Sequence, residues 1–148
     1  MKPEESVDFH IRWVWAGISR MYNAEAAKWD GTMSIGYALL NIDLEEGILS
    51  TQLGPRMGME PTSLTRTLKK MEEEKLIERI GDPDDKRKVR LFLTDKGKEM
   101  RKISRDTVID FNEHVRERIS ETHLQNFFEV MNNINKVIEH KAIKNNHE

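Results

Sequence analysis

The sequence contains no cysteine in its 148 residues, and only 4 prolines and 8 glycines. Without cysteine the chain can form no disulfide and has neither a thiolate nucleophile nor a thiol redox sensor. It also lacks any apolar run near the roughly 20 residues that a membrane-spanning helix needs. The opening residues, MKPEESVDFH, do not follow the basic-then-apolar order of a signal peptide. These absences predict a soluble cytoplasmic protein, and the length predicts one domain, residues 1–148.

Motifs for catalysis and for metal or cofactor binding are missing as well. The 5 histidines are scattered, and none forms an HExxH pair or a cluster with metal-ligand spacing. There is no nucleophile elbow, glycine-rich phosphate loop or dinucleotide fingerprint. We therefore expect no enzymatic activity, no cofactor and no metal.

What the chain does have is charge, and its distribution is uneven. Charged residues make up 34% of the sequence, and the net charge is −2. Residues 1–48 carry 4 basic and 8 acidic side chains (−4), residues 49–98 carry 12 and 9 (+3), and residues 99–148 carry 8 and 9 (−1). The middle third is thus the basic part of an acidic chain, which is compatible with a nucleic-acid partner.

Long helices are predicted on both sides of a compact middle. Glycine and proline concentrate between Gly31 and Gly97. Apolar residues at helical spacing predict helices over 7–28, from Thr32 or Ser34 to about 43, and over 95–118 after a Thr94 cap. Thr122 and Gln125 predict a capping box for a last helix.

The middle predicts a helix-turn-helix followed by a β-hairpin. Ser50 or Thr51 is expected to cap a third helix that ends at Met57, with Gly58 at its exit. Pro61 is expected to open a fourth helix over about 62–75. A change to strand periodicity at Leu76–Ile80 and Val89–Leu93, around a turn-rich loop, predicts a hairpin. The expected fold is mostly α, a winged helix-turn-helix with about six helices and a small β-hairpin wing.

The fourth helix has the pattern of a DNA recognition helix. Leu64, Leu68 and Met71 share one face and are expected in the core. The opposite face and its flanks carry hydroxyl groups near the helix start and cations further along, which suit base edges and phosphates: Thr62, Ser63, Thr65, Arg66, Lys69 and Lys70. A solvated basic surface helix is the alternative interpretation.

The hairpin tip carries a second group of cations. Lys86, Arg87 and Lys88 would reach a minor groove, where the negative potential favours arginine. The alternative is a charged turn in solvent. Asp82, Asp84 and Asp85 lower the local positive field, but they could also brace Arg87 by ion pairing.

Two segments resemble the MarR/SlyA family of bacterial regulators: TSLTRTLKKMEEEKLIER (62–79) and DPDDKRKVRLFLTDKG (82–97). The resemblance implies a triangular homodimer with a DNA-binding lobe at 32–96 and dimerisation helices at 5–30 and 97–143. The fourth helix would enter a major groove and the wing an adjacent minor groove. The family's wing-tip arginine falls on Arg87. Asp84 and Lys86 depart from the arginines common in the family, which predicts a modest wing affinity.

Independently of the family, the apolar stripes on three long flanking helices exceed what one subunit can cover, and this predicts a symmetric dimer. We expect the protein to be a sequence-specific DNA-binding transcriptional regulator that acts as a repressor. It is expected to bind a pseudopalindromic operator as a homodimer. The alternative is a winged-helix protein-interaction module that does not bind DNA.

The resemblance also implies an effector pocket bordered by helices one, two and five. A small lipophilic or aromatic ligand bound in this pocket would cause the protein to release DNA. Packing in the core and the dimer interface is the alternative role for its candidate residues. Arg12 or Arg20 would meet an acidic ligand, and the apolar candidates are Trp13, Trp15, Met33, Tyr37 and Phe111.

Overall fold

The computed structural model describes the backbone of residues 1–145 and the side chains of residues 1–142. A 3₁₀ turn (Pro3–Glu5) precedes α1 (Val7–Ala27), α2 (Met33–Asn41), β1 (Ile48–Leu49), α3 (Ser50–Met57), α4 (Pro61–Glu73), β2 (Ile77–Gly81), β3 (Val89–Leu93), α5 (Asp95–Arg118) and α6 (Glu121–Asn145). The chain divides into two compact units, residues 1–108 and the described residues from Ile109 onward. The predicted six-helix fold with a hairpin is confirmed.

Local side-chain chemistry explains where several helices begin and end. Thr32 caps α2, since its Oγ1 accepts the amide of Ile35 at 3.2 Å. Gly58 ends α3 in the left-handed conformation at φ 60°, where a residue without Cβ is unstrained. Pro61 occupies the first turn of α4, and Thr94 Oγ1 accepts the amide of Gly97 to cap α5 at 3.0 Å. All four match the sequence predictions.

Two predicted caps are wrong. Neither Ser50 nor Thr51 caps α3, because Leu49 is held extended by pairing with β3 and the helix begins directly at Ser50. The last helix begins at Glu121, one residue before the predicted cap Thr122. Ser120 lies just before that helix, and its Oγ accepts the amide of His123 at 3.3 Å.

A small antiparallel sheet joins the helix-turn-helix to the hairpin. The strand order is β1-β3-β2. Leu91 in the middle of β3 pairs with Ile48 of β1 on one side and with Arg79 of β2 on the other. The hairpin was predicted, but β1 was not. Its two residues are too few to show strand periodicity in the sequence.

The core of the first unit lies beneath the helix-turn-helix. Leu68 and Met71 of α4 are buried there, with Leu64 half-buried against the same cluster. The face of α4 that was predicted to lie in the core is therefore the face that packs against it. The cluster also draws on α2, β1, α3, β2 and β3, through Ile35, Ala38, Leu39, Ile42, Ile48, Leu53, Leu76, Ile77, Leu91 and Leu93.

In the second unit, α6 buries Leu124 but leaves many large apolar side chains exposed. These are Phe127, Phe128, Val130, Val137 and Ile138. Exposed apolar side chains at helical spacing form a stripe that nothing in the described chain covers.

Candidate functional site

The outward face of α4 presents every polar residue that the sequence singled out on this helix. Each of them is exposed, because the opposite face is fixed in the core by Leu68 and Met71. The exposed set is Thr62, Ser63, Thr65, Arg66, Lys69 and Lys70. The structure thus brings these side chains together on one solvent-facing surface.

The side chains on this face differ in whether another residue already binds them. Thr65 Oγ1 donates back to the carbonyl of Pro61 at 2.9 Å. Lys70 Nζ lies 2.8 Å from Glu74 Oε1, and this hydrogen bond raises the pKa of Lys70. Within the described part of the chain, the side chains of Arg66 and Lys69 have no hydrogen bond or ion pair to another residue. These two cations are therefore the ones most available to an anionic partner.

The wing tip is a turn built by aspartates. Asp82 Oδ1 accepts the amides of Asp84 at 2.8 Å and Asp85 at 3.1 Å. These backbone hydrogen bonds hold the pKa of Asp82 below its usual value. The Asp82 amide in turn donates to the carbonyl of Lys88 at 2.9 Å. Asp82 therefore closes the loop, and its carboxylate binds backbone amides of the loop.

Arg87 is held by one aspartate and otherwise projects into solvent. Its Nε lies 3.2 Å from Asp85 Oδ1 and its Nη2 lies 3.4 Å from Oδ2, while the side chain is 91% exposed. The predicted brace is confirmed for Asp85. Asp82 and Asp84 form no ion pair with Arg87. Lys86 and Lys88 are exposed beside it.

Two contacts that the sequence did not reveal fix the wing to the rest of the lobe. Arg79 Nε on β2 lies 2.6 Å from Glu72 Oε1 near the end of α4. Arg90 Nη1 on β3 donates to the carbonyl of Glu46 at 3.4 Å. Both pairs join different elements, so no local spacing signals them. Together they link the base of the hairpin to α4 and to the turn before β1.

A cleft lies among α1, α2 and α5 within the first unit, and we refer to it as the α1–α2–α5 cleft. The space between its walls is about 320 Å³, part of it open to solvent. Burial and the neighbouring Tyr37 raise the pKa of Tyr22 to about 12. The walls are formed by Tyr22, Glu25, Ala26, Trp29, Thr32, Met33, Gly36, Tyr37, Leu40, Ser104, Thr107 and Val108.

The effector candidates named from the sequence are only partly gathered here. Met33 and Tyr37 line the α1–α2–α5 cleft. They also line a second, wider cleft beside the α3–α4 turn, together with Trp15 and Arg56. Arg12, Trp13 and Arg20 are exposed on α1 and line neither cleft. Phe111 belongs to the second unit, and its predicted role stays a prediction.

The sequence missed several of the cleft residues, among them Tyr22, Glu25 and Ser104. Tyr22 has the helical spacing of the α1 stripe, but spacing alone does not separate a cleft wall from a core position. Ser104 faces Gly36, whose added Cβ would lie 3.3 Å from Ser104 Oγ. This close approach of α2 and α5 is a tertiary property with no sequence motif.

Residues 1–145 contain neither a membrane-spanning helix nor a cluster of metal ligands. No helix in that range is both long and apolar enough to cross a membrane. The same range holds no group of three or more His, Asp or Glu side chains placed to share a metal ion.

Comparison with known proteins places this architecture in a family. The model of the MarR family matches residues 33–89. The HTH-type transcriptional regulator SarZ of Staphylococcus saprophyticus is 34% identical over 116 residues, which is 74% of this chain and 79% of SarZ. The chain belongs to the MarR family. The matched residues of this MarR-family regulator run from α2 to the start of β3, so they include the helix-turn-helix, β2 and the wing loop.

Solved structures agree on the fold. PcaV of Streptomyces coelicolor, in complex with its natural ligand, has a TM-score of 0.79 at 19% identity and covers 92% of this chain and 96% of its own. The MepR–DNA complex of S. aureus has a TM-score of 0.77 at 16% identity, with 90% and 97% covered. At these identities the likeness shows that the MarR-family fold is shared across nearly the whole chain.

Proposed function

We propose that this MarR-family protein is a sequence-specific DNA-binding regulator in which α4 reads a major groove and the wing enters the neighbouring minor groove. The observation that carries the proposal is the exposed face of α4, where Arg66 and Lys69 have no partner in the described chain. A guanidinium can bond a guanine edge with two hydrogen bonds, whereas an ammonium suits a phosphate. Base and phosphate contacts are thus divided between two neighbouring side chains.

The wing supplies the second contact. Asp85 directs an arginine that is otherwise in solvent. A directed arginine loses less conformational freedom on binding than a free one, and the narrow minor groove attracts it. The similar fold of MepR, solved with DNA, supports this mode of binding.

We further propose that the working form is a homodimer. Apolar side chains are exposed on α1, including Val7, Trp13, Val14 and Trp15, and on α6, including Phe127 and Val137. Burial of such stripes against a second copy is the common remedy for patches of this kind. A twofold dimer would present two α4 helices to half-sites about one DNA turn apart. Such a dimer on promoter DNA obstructs polymerase, so we propose repression.

A small-molecule effector completes the proposal. The α1–α2–α5 cleft adjoins α2, whose buried residues belong to the same core as α4. A ligand that favours one spacing of the two recognition helices over another changes operator affinity. The ligand-bound structure of PcaV supports a ligand site in this fold.

The test is equilibrium binding of fluorescent DNA from upstream of the chain's own gene, measured by anisotropy across a salt series. Arg66→Ala should weaken binding by about 1–3 kcal/mol, roughly 5- to 150-fold in Kd, and relax specificity at one position. Lys69→Ala should weaken binding evenly across sequences and lower the salt slope by about 1. Arg105→Ala, an exposed arginine on α5 paired with Asp106, is the matched control and should change little.

Three results would contradict the proposal or part of it. If Arg66→Ala combined with Arg87→Ala leaves binding and its salt slope unchanged, the DNA contacts are misassigned. If the wild-type chain binds no DNA at low salt, the protein-interaction module becomes the better interpretation. Light scattering that shows only the 17.4 kDa monomer at micromolar concentration would remove the dimer.

A further inference from the structure

We propose that Glu74 competes with DNA for Lys70: its carboxylate binds Lys70 in the free protein and transfers to Lys96 when a phosphate takes its place. The inference rests on the proposed function in taking the exposed face of α4 as the DNA-contact surface, and it adds a control on the affinity of that surface. The three side chains are between 37% and 54% exposed, so DNA and solvent can reach them.

The first argument is the geometry of one carboxylate between two ammonium groups. Glu74 Oε1 lies 2.8 Å from Nζ of Lys70, one turn earlier on α4. The other oxygen, Oε2, lies 3.9 Å from Nζ of Lys96 at the start of α5. That ammonium also donates to the backbone carbonyl of Glu74 at 2.9 Å, which holds it beside the carboxylate. A small rotation of the Glu74 side chain therefore exchanges one cation for the other.

The second argument is the charge around Lys70. The hydrogen bond to Glu74 and the charges of Glu74, Glu73 and Asp30 raise the pKa of Lys70. Lys70 and, more weakly, Lys96 hold the pKa of Glu74 below its usual value. In the free protein the Lys70 ammonium thus lies in the field of three carboxylates. A phosphate reaches this cation only in competition with a carboxylate that is already in contact.

The third argument is that helix stability does not account for the pair of Glu74 and Lys70. Glu74 is the C-terminal cap residue of α4, where the helix dipole favours cations and disfavours carboxylates. A lysine four residues before a glutamate is also the weaker of the two orders for a helical ion pair. Exposed pairs of this kind contribute little to folding. A contact this weak can be displaced by a phosphate, as a competitor for DNA requires.

Lys96 makes the exchange favourable. Without it, a displaced Glu74 carboxylate would face the phosphate with no cation of its own, and like charges at close range repel each other. With it, the carboxylate keeps an ion pair while Lys70 binds the phosphate. No covalent bond changes and no proton moves in this exchange. Lys96 is therefore a positioning residue, which strengthens DNA binding through Glu74 without touching DNA.

The test is a set of double-mutant cycles in the anisotropy assay, at one fixed salt concentration. Glu74→Gln should bind DNA about two- to fivefold more tightly, the range expected for release from an exposed ion pair. Most of that gain should disappear in the Lys70→Ala background, because the released ammonium is then absent. Glu73→Gln removes an exposed carboxylate from the same turn of α4 and is the matched control for net charge. Its gain should be smaller and nearly equal in both backgrounds.

Lys96→Ala separates positioning from a structural role. It should weaken DNA binding about two- to fivefold in the wild-type chain. In the Glu74→Gln background it should have little further effect, because no carboxylate remains for Lys96 to receive. A structural role would persist in that background, since the backbone carbonyl that Lys96 also binds is still present. Lys98→Ala, at an exposed lysine in the same turn of α5, is the matched control.

The inference is overturned if the gain from Glu74→Gln is the same with and without Lys70, or if Lys96→Ala weakens binding equally in both backgrounds. Either result, obtained with a wild-type chain that binds DNA, would leave the proposed function standing. Absence of DNA binding by the wild type at low salt would overturn the proposed function and this inference together. Urea unfolding of each variant ensures that binding is compared between folded proteins.

Discussion

Two glycines with the same backbone conformation provide a sharp test of the packing beneath the wing. Gly47 and Gly58 have φ values of +63° and +60°, so an alanine at either position carries the left-handed penalty of about 1–2 kcal/mol. Their surroundings differ. A Cβ on Gly47 would lie 2.2 Å from the carbonyl oxygen of Leu91, whereas a Cβ on Gly58 would have nothing within 4 Å.

The difference sets the expected magnitude. Leu91 is fully buried in the central strand β3, so its carbonyl cannot move without moving the sheet. Relief of such overlap in a packed region costs about 1–3 kcal/mol. We therefore expect Gly47→Ala to lower the free energy of unfolding by about 2–5 kcal/mol and Gly58→Ala by about 1–2 kcal/mol. The first is a large fraction of the roughly 5–15 kcal/mol of a typical domain.

The assay is urea-induced unfolding followed by circular dichroism, at one fixed protomer concentration because association adds to apparent stability. Gly81→Ala is the control, since Gly81 has neither a positive φ nor a neighbour within 4 Å of an added Cβ. It should be neutral or slightly stabilising. A Gly47→Ala protein no less stable than Gly58→Ala would refute the packing of the turn under β3.

Three further predictions concern the wing, the α2–α5 contact and pH. In the anisotropy assay, Asp85→Asn should weaken operator binding less than Arg87→Ala, because the arginine remains but loses its brace; an equal or larger loss would point to a different role for Asp85. In urea unfolding, Gly36→Ala should gain less stability than Gly17→Ala, a helical position with nothing within 4 Å of an added Cβ, because the Cβ at Gly36 approaches Ser104 Oγ at 3.3 Å; adding Ser104→Ala to Gly36→Ala should remove most of that difference. The Nδ1–H of His114 donates a hydrogen bond to the carbonyl oxygen of Asp110, one turn earlier, at 2.8 Å, and this hydrogen bond and the Asp110 carboxylate raise the pKa of His114 above its usual 6.5. Because the folded pKa is the higher one, the contribution of His114 to stability is present below pH 6.5 and is lost as pH rises through the folded value. The melting temperature of His114→Gln should accordingly lie below that of the wild type at acidic pH and approach it at alkaline pH.

The parts of the fold that sequence could predict are those that local chemistry determines. Helical periodicity identifies α1, α4 and α5 nearly to the residue, and Pro61 and Gly58 mark the helix-turn-helix because their backbone preferences are strong. The predicted end of α2 was about two residues late, because Asp43 Oδ1 accepts the amides of Glu45 and Glu46 and forms a turn. Such an aspartate looks like any other polar residue in the sequence.

The candidate sites also include one part that the sequence predicts and one that it does not. The surface of α4 followed from a helical wheel, since burial of Leu68 and Met71 leaves the other face exposed. The family resemblance implied a pocket among these helices, but its lining residues did not follow from the sequence, because they combine residues 22–40 with the distant residues 104–108 of α5. The positive charge of Arg12 and Arg20 makes them candidates in the sequence, but the tertiary structure places neither in the wall and places the carboxylate of Glu25 there instead.

The strand order described above has a consequence for solubility. β2 is an outer strand with one unpaired edge, and such edges invite pairing with other chains. This one is five residues long, ends in Gly81, and carries the exposed charges of Glu78 and Arg79. Short length and charge are the features by which natural proteins keep an edge from adding further strands. The wing can therefore protrude from the molecule without becoming a starting point for aggregation.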